Sequence, residues 1–208
     1  RRGARNLGAA APGGGAPMTP ARFDEALRDV VSALQACGRP HAIIGGIAVV
    51  AHGVARSTID IDATIEPGGA GAEALIPTLA AHGIEPRIDG AVAFADRHQV
   101  LLLRHTRSGV PVDLTFARLP FEDAVLAHVE RLELAGVVLP VPRPQDLVVY
   151  KLVAHRSRDI DDVAELLVLH RDRIDVEQVR ELIAGFCEAL EDDARLATWA
   201  RLVGESEA

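Results

Sequence analysis

Several common protein classes are excluded by what this chain has little of. Its two cysteines, Cys37 and Cys187, lie far apart in no metal-ligand spacing, and read as two buried thiols in a reducing cytosol rather than a zinc module. No apolar run exceeds Ala42 to Ala51, well short of the roughly 20 residues that a membrane helix requires, so no membrane partner and a cytoplasmic location are expected. Positive charge is scarce as well. With 22 basic residues against 30 acidic ones the net charge is −8, which weighs against a broad nucleic-acid face, although a small local contact with an RNA end stays open. Lysine is almost absent, since Lys151 is the only one among the basic residues. What remains is a chain of 208 residues, 49% hydrophobic, long enough for one domain or for a core with a helical appendage.

The most informative stretch is His41 to Ile65, HAIIGGIAVVAHGVARSTIDIDATI. It predicts a short apolar strand over His41 to Ile44, a Gly45-Gly46 pair opening one or two helical turns, a polar loop through Gly53, Arg56 and Thr58, and a second strand carrying Asp60 and Asp62. Residues two apart in a strand share a face, so Asp60 and Asp62 project together while Ile59 and Ile61 turn toward a core. Paired carboxylates repel unless a cation lies between them, and a divalent metal with oxygen ligands, Mg²⁺ first and Mn²⁺ second, suits that position. Glycines at a strand-to-helix corner let backbone N–H groups approach an anion, with the helix dipole adding to the attraction. A phosphate seat thus precedes a metal pair by the thirteen residues from Ile47 to Ile59.

Around this centre the pattern is regular. Residues 1–18, rich in Arg, Ala, Gly and Pro without apolar periodicity, read as a disordered tail, and Met18, the only methionine, is the expected start of translation. Thr19 is a candidate cap and Pro20 a first helical residue for a helix whose Phe23, Leu27, Val30, Val31 and Leu34 recur at helical spacing until Gly38. A loop over Pro67 to Gly71 and a helix over Ala72 to His82 follow, then short strands at Glu85 to Ile88 and Ala91 to Phe94. Val100 to Arg104 and Val110 to Phe116 form a hairpin about Arg107-Ser108-Gly109. On its second arm Asp113 is a lone acid between Val112 and Leu114, either an edge carboxylate facing water or part of a site. A helix over Pro120 to Glu130, a small hairpin over Leu132 to Val141 and a helical end opening at Arg143-Pro144 complete the chain. After Leu167 that end holds helices over Val176 to Leu190 and Asp192 to Val203.

Lys151 stands on an otherwise apolar helix face, beside Tyr150 and upstream of Arg156 and Asp159. In a chain that otherwise uses arginine for every positive charge, a solitary lysine points to a position that needs a compact ammonium rather than a planar fork; the alternative is chance. Asp159, Asp161 and Asp162 also fit the acidic first turn of a helix beginning near Arg158. The eight histidines show no paired metal spacing, and His52 and His155 read as ordinary partly buried side chains.

The glycine pair, the spacer and Asp60-x-Asp62 together resemble the signature of the nucleotidyltransferase superfamily. Lys151, Arg156, Arg158, Asp159 and Asp162, in that order, resemble in particular the AbiEii-type nucleotidyltransferases of abortive-infection and toxin–antitoxin systems, over roughly His41 to Leu167. The chain departs from many of them in its shorter helical C-terminal region. The resemblance implies an α/β (α+β) fold, a mixed sheet flanked by helices, with a catalytic core over 19–142 and a helical part over 143–208 completing the site. It implies Mg²⁺ or Mn²⁺ on Asp60, Asp62 and Asp113, and catalytic roles for those three and Lys151. It places a nucleoside triphosphate on Gly45, Gly46, Arg56, Thr58, Lys151, Arg156 and Asp159. The implied reaction moves a nucleoside monophosphate to an acceptor hydroxyl, on tRNA for a toxin-like enzyme with a cognate antitoxin partner. Antibiotic-type modification of a small molecule, or a non-catalytic antitoxin-like module, are the alternatives.

Overall fold

Apolar spacing of three and four residues starts the fold. The computed structural model describes residues 20–69 and 71–206, so the tail over 1–18 and the Thr19 cap lie outside the described residues. Helix α1 (Pro20–Ala36) buries Leu27, Val30, Val31 and Leu34, and Gly38 turns the chain with a φ of +66°. Strand β1 (His41–Ile43) runs into helix α2 (Gly45–Ala51), and a loop returns to strand β2 (Ile61–Ile65). Helix α3 (Ile76–Ala81), strand β3 (Ile84–Pro86) and helix α4 (Ala91–His98) lead to the hairpin of β4 (Val100–His105) and β5 (Pro111–Phe116). Helix α5 (Pro120–Ala127) and the hairpin of β6 (Glu130–Leu134) and β7 (Val137–Val141) come next. The helical end comprises α6 (Pro144–Ala154), α7 (Ser157–His170), a 3₁₀ turn over Arg171–Arg173, α8 (Val176–Leu190) and α9 (Ala194–Ser206).

The main sheet has the order β1-β2-β5-β4-β3, with β2 and β5 parallel and the other pairs antiparallel. Its alternation is clean on β5, where Val112, Leu114 and Phe116 are buried while Pro111, Asp113 and Thr115 are half-buried on the opposite face. Register then does the positioning. Asp62 of β2 lies opposite Asp113 of β5, so two strands that are far apart in sequence bring their acids to the same face. One hydrophobic cluster runs from Leu27 of α1 through the sheet to Leu202 of α9, so residues on both sides of position 142 share it.

Several details differ from the expectations, among them the first short strand, which covers Ile84–Pro86 rather than Glu85 to Ile88. Residues Ala91–Phe94 are helical, not extended: Ala91 and Ala95, four apart, face the core, and a four-residue alternation satisfies a helix as well as a strand. Strand pairing begins at Ile61, so Asp60 immediately precedes β2, and Ile59 is 72% exposed rather than turned inward. The helix expected over 72–82 is confined to Ile76–Ala81, after a turn over 71–75. Helix α5 stops at Ala127, because Glu130 already pairs with Val141 in the second hairpin.

Candidate active site

The acids sit where the sheet's one parallel pairing puts them. Asp62 and Asp113 face the same cleft from β2 and β5, and Asp60 joins them from the turn before β2. Burial, and then the charges of Asp60 and Asp113, push the Asp62 carboxyl up to about 6, even though Lys151 and Arg156 act the other way. Asp60 is held by Thr58, whose hydroxyl donates to its Oδ1 at 2.9 Å. Thr58 itself does not line the cleft but stands behind Asp60. Asp113 is approached from its other side by Arg87, with Nη1 2.7 Å from Oδ1. That contact lacks hydrogen-bond alignment, so the buried Oδ1 has no hydrogen-bond partner. Among the described residues, no three carboxylate, imidazole or thiol groups converge into a finished metal cage.

The glycine pair has a reason that the sequence did not disclose. Gly45 adopts a φ of +62°, and a Cβ there would stand 2.0 Å from Asp62 Oδ2. At Gly46 a Cβ would meet Thr58 Oγ1 at 2.8 Å and Arg56 Nη2 at 3.2 Å. Both glycines therefore make room for site side chains as much as for an anion. They still line the cleft, and no side chain caps the first turn of α2 after Ile44.

Lys151 forms the opposite wall. The α6–α7 corner turns at His155, which has a left-handed φ of +54°, and folds α7 back so that its first turns reach Lys151. The ammonium, buried, lies 3.1 Å from Asp159 Oδ1 and 2.8 Å from Asp162 Oδ2. Asp162 also accepts from Arg56 in the loop before β2, and Asp159 accepts from Arg156 Nε at 2.6 Å. Burial opposes ionisation of Asp159, but the hydrogen bonds and charges of Arg156 and Lys151 outweigh it and hold its carboxyl below the usual range. Asp159 does double duty, since Oδ2 also receives the Arg156 backbone N–H, at 3.3 Å, at the start of α7. The chain of charges Arg56–Asp162–Lys151–Asp159–Arg156 thus ties the loop before β2 to the helical end.

The cleft, about 410 Å³, gathers Gly45, Gly46, Arg56, Asp60, Asp62, Asp113, Lys151, Arg156 and Asp159. Of the residues expected to contact nucleotide, only Thr58 is outside it. His52 and His155 are also outside: His52 bonds the Pro142 carbonyl at 2.8 Å, and His155 bonds Thr198 Oγ1 at 2.9 Å. Sequence reasoning assigned no site role to Asp162, Arg87, Thr115 or Tyr150. Asp162 had a signal, since it lies one helical turn after Asp159. Thr115 follows Asp113 by two on β5 and so shares its face. Tyr150 lines the cleft with its ring against Phe121 and its hydroxyl buried without a partner, and burial pushes that hydroxyl's pKa upward. Arg87 had no signal, because only the pairing of β3 with β4 brings it to Asp113.

A mixed sheet flanked by helices, with paired acids on neighbouring parallel strands facing a buried lysine, defines a nucleotidyltransferase-like protein. Residues 22–202 match the family described as nucleotidyltransferase of unknown function (DUF6036), and the chain belongs to that family. Solved structures agree on the fold. The antibiotic-resistance factor ANT(2″)-Ia in solution is similar at a TM-score of 0.58 and 16% identity, over 83% of this chain and 95% of that one. An antigenic nucleotidyltransferase-like protein from Paracoccidioides brasiliensis is similar at 0.54 and 17%, over 89% and 95%. JHP933 from Helicobacter pylori is similar at 0.52 and 12%, over 92% of each chain. No curated protein matches the sequence. No helix among the described residues is long and apolar enough to cross a membrane.

Proposed function

We propose that this nucleotidyltransferase moves a nucleoside monophosphate from a nucleoside triphosphate to a hydroxyl of a small-molecule acceptor. The observation that carries the reading is the register of Asp62 against Asp113, with Asp60 beside them and buried Lys151 across the same cleft. The donor set suits a divalent cation bound through oxygen, because three carboxylates share the cleft and Asp62 is crowded by two like charges. Asp60, Asp62 and Asp113 would hold Mg²⁺ or Mn²⁺, which when bound supplies positive charge against the triphosphate. The chain's own groups do the rest. Lys151, with Arg56 and Arg156, neutralises charge gathering on the departing pyrophosphate, and Asp159 orients Lys151 and Arg156. Backbone N–H groups at Gly45 and Gly46 receive phosphate oxygens. As the acceptor oxygen bonds the α-phosphorus, the bond to the bridging oxygen breaks and pyrophosphate leaves, while the Asp113 oxygen not given to the cation takes the hydroxyl proton. Thr58 acts on Asp60 rather than on nucleotide.

Net charge of −8 favours a small acceptor over a large polyanion, and one structure of ANT(2″)-Ia holds adenylyl-2″-tobramycin, at a TM-score of 0.55 and 16% identity over 81% of this chain and 98% of that one. A toxin-like AbiEii-type enzyme acting on tRNA, with an antitoxin partner, is the second reading, favoured by the Lys151 to Asp162 motif gathered on the cleft wall. Both readings are set in the cytoplasm, where nucleoside triphosphates are made. Purified protein with Mg²⁺ and labelled nucleotides, offered a panel of small polyhydroxylated amines and separately tRNA, is expected to label the former, and Asp60→Ala to abolish the signal. Labelling of tRNA alone would move the assignment to the second reading. Equal labelling by Asp60→Ala, or none with either acceptor class, would overturn the catalytic reading.

A further inference from the structure

We propose that Arg87 is a tethered cation that holds Asp113 in the metal-free protein and gives it up when a divalent cation enters the cleft. The inference rests on the metal reading of Asp60, Asp62 and Asp113 and adds a residue that no motif contains.

The placement is specific. Arg87 follows the last residue of β3, and its backbone N–H donates to Leu102 O at 3.0 Å while Nη1 donates to Leu103 O at 3.3 Å, both on β4. Leu102 is the register partner of Asp113, so an arginine anchored on that part of β4 reaches Asp113 from the side away from Asp62. Its Nη1 stops 2.7 Å from Asp113 Oδ1 without forming an aligned hydrogen bond. The contact is therefore one of charge alone, and with the two side chains 24% and 34% exposed it is weak enough to be exchanged. Asp60 and Asp62 are left on the opposite side, and no three ligands among the described residues close into a cage. A free protein with three acids on one face would suffer their mutual repulsion; Arg87 relieves one of them. The same contact makes Arg87 a competitor for any cation that needs Asp113 as its third ligand.

The competition is testable without turnover. Binding of Mn²⁺ to the nucleotide-free full chain, followed by electron paramagnetic resonance, is expected to tighten about two- to fivefold in Arg87→Met. Arg87→Gln, which retains a donor toward Leu103, is the second variant and is expected to tighten similarly, while Arg87→Lys stays near wild type. In an Asp113→Asn background the gain from Arg87→Met is expected to vanish. Unchanged or weaker Mn²⁺ binding in both Arg87→Met and Arg87→Gln would overturn the inference, as would a gain that survives Asp113→Asn. If wild type binds Mn²⁺ neither alone nor with a nucleoside triphosphate, the metal reading itself fails, and this inference with it.

Discussion

Asp62 shows how a single side chain records the purpose of its surroundings. Its carboxyl is pushed up to about 6, first by burial and then by Asp60 and Asp113. Between the ordinary aspartate pKa and about 6, the folded protein keeps a proton that the unfolded chain has lost. This group's contribution to stability is thus full at acid pH and declines as pH rises through that window, levelling off above it. Asp62→Asn is expected to stabilise the free protein at about pH 8 by on the order of 2 kcal/mol, and by much less at about pH 4, in paired urea titrations. An equal gain at both pH values, or a loss at the higher one, would mean that the acids are not crowded. Asp159 runs in the opposite direction. Its depressed pKa gives stability that is present above the unfolded value and lost as pH falls through the folded one, so the Lys151 wall keeps this contribution until the pH is below the ordinary aspartate range.

At the scale of elements, the corner between α6 and α7 is the decisive piece. A left-handed residue at His155 folds α7 back on α6, and two acids one helical turn apart then clasp a lysine from the preceding helix. Lys151→Met would leave Asp159 facing only Arg156 and Asp162 facing only Arg56. It is expected to cost about 3 kcal/mol in chemical denaturation. A loss below about 1 kcal/mol would mean that the two acids do not depend on the lysine. The corner also explains why Lys151 and Arg56, nearly a hundred positions apart, share a cleft: Asp162 bonds both.

For the whole molecule, a cluster that runs from α1 to α9 predicts one cooperative transition rather than separate melting of the core over 19–142 and the helices over 143–208. Trp199, buried in α9 and the only tryptophan, reports the far end of the chain. Its fluorescence and the far-ultraviolet circular dichroism are expected to change together in urea, and two separated midpoints would assign the helical end its own stability. Much of this architecture was legible in advance. Leu27, Val30 and Leu34 announced α1, and residues 176–190 announced α8 to the residue, because long amphipathic segments carry their period within themselves. Ala91–Phe94 misled because four residues are too few to separate a period of two from one of 3.6. The acids, the glycine pair and the lone lysine could be selected as candidates from chemistry and spacing, since residue type and local separation are properties of the chain itself. Three facts were decided only in three dimensions: that Asp62 meets Asp113 across a parallel pair, that Gly45 is small because Asp62 presses on it, and that Arg87 reaches Asp113 over β4. Each depends on strand register and on contacts between segments far apart in sequence, and those are fixed by packing of the whole core.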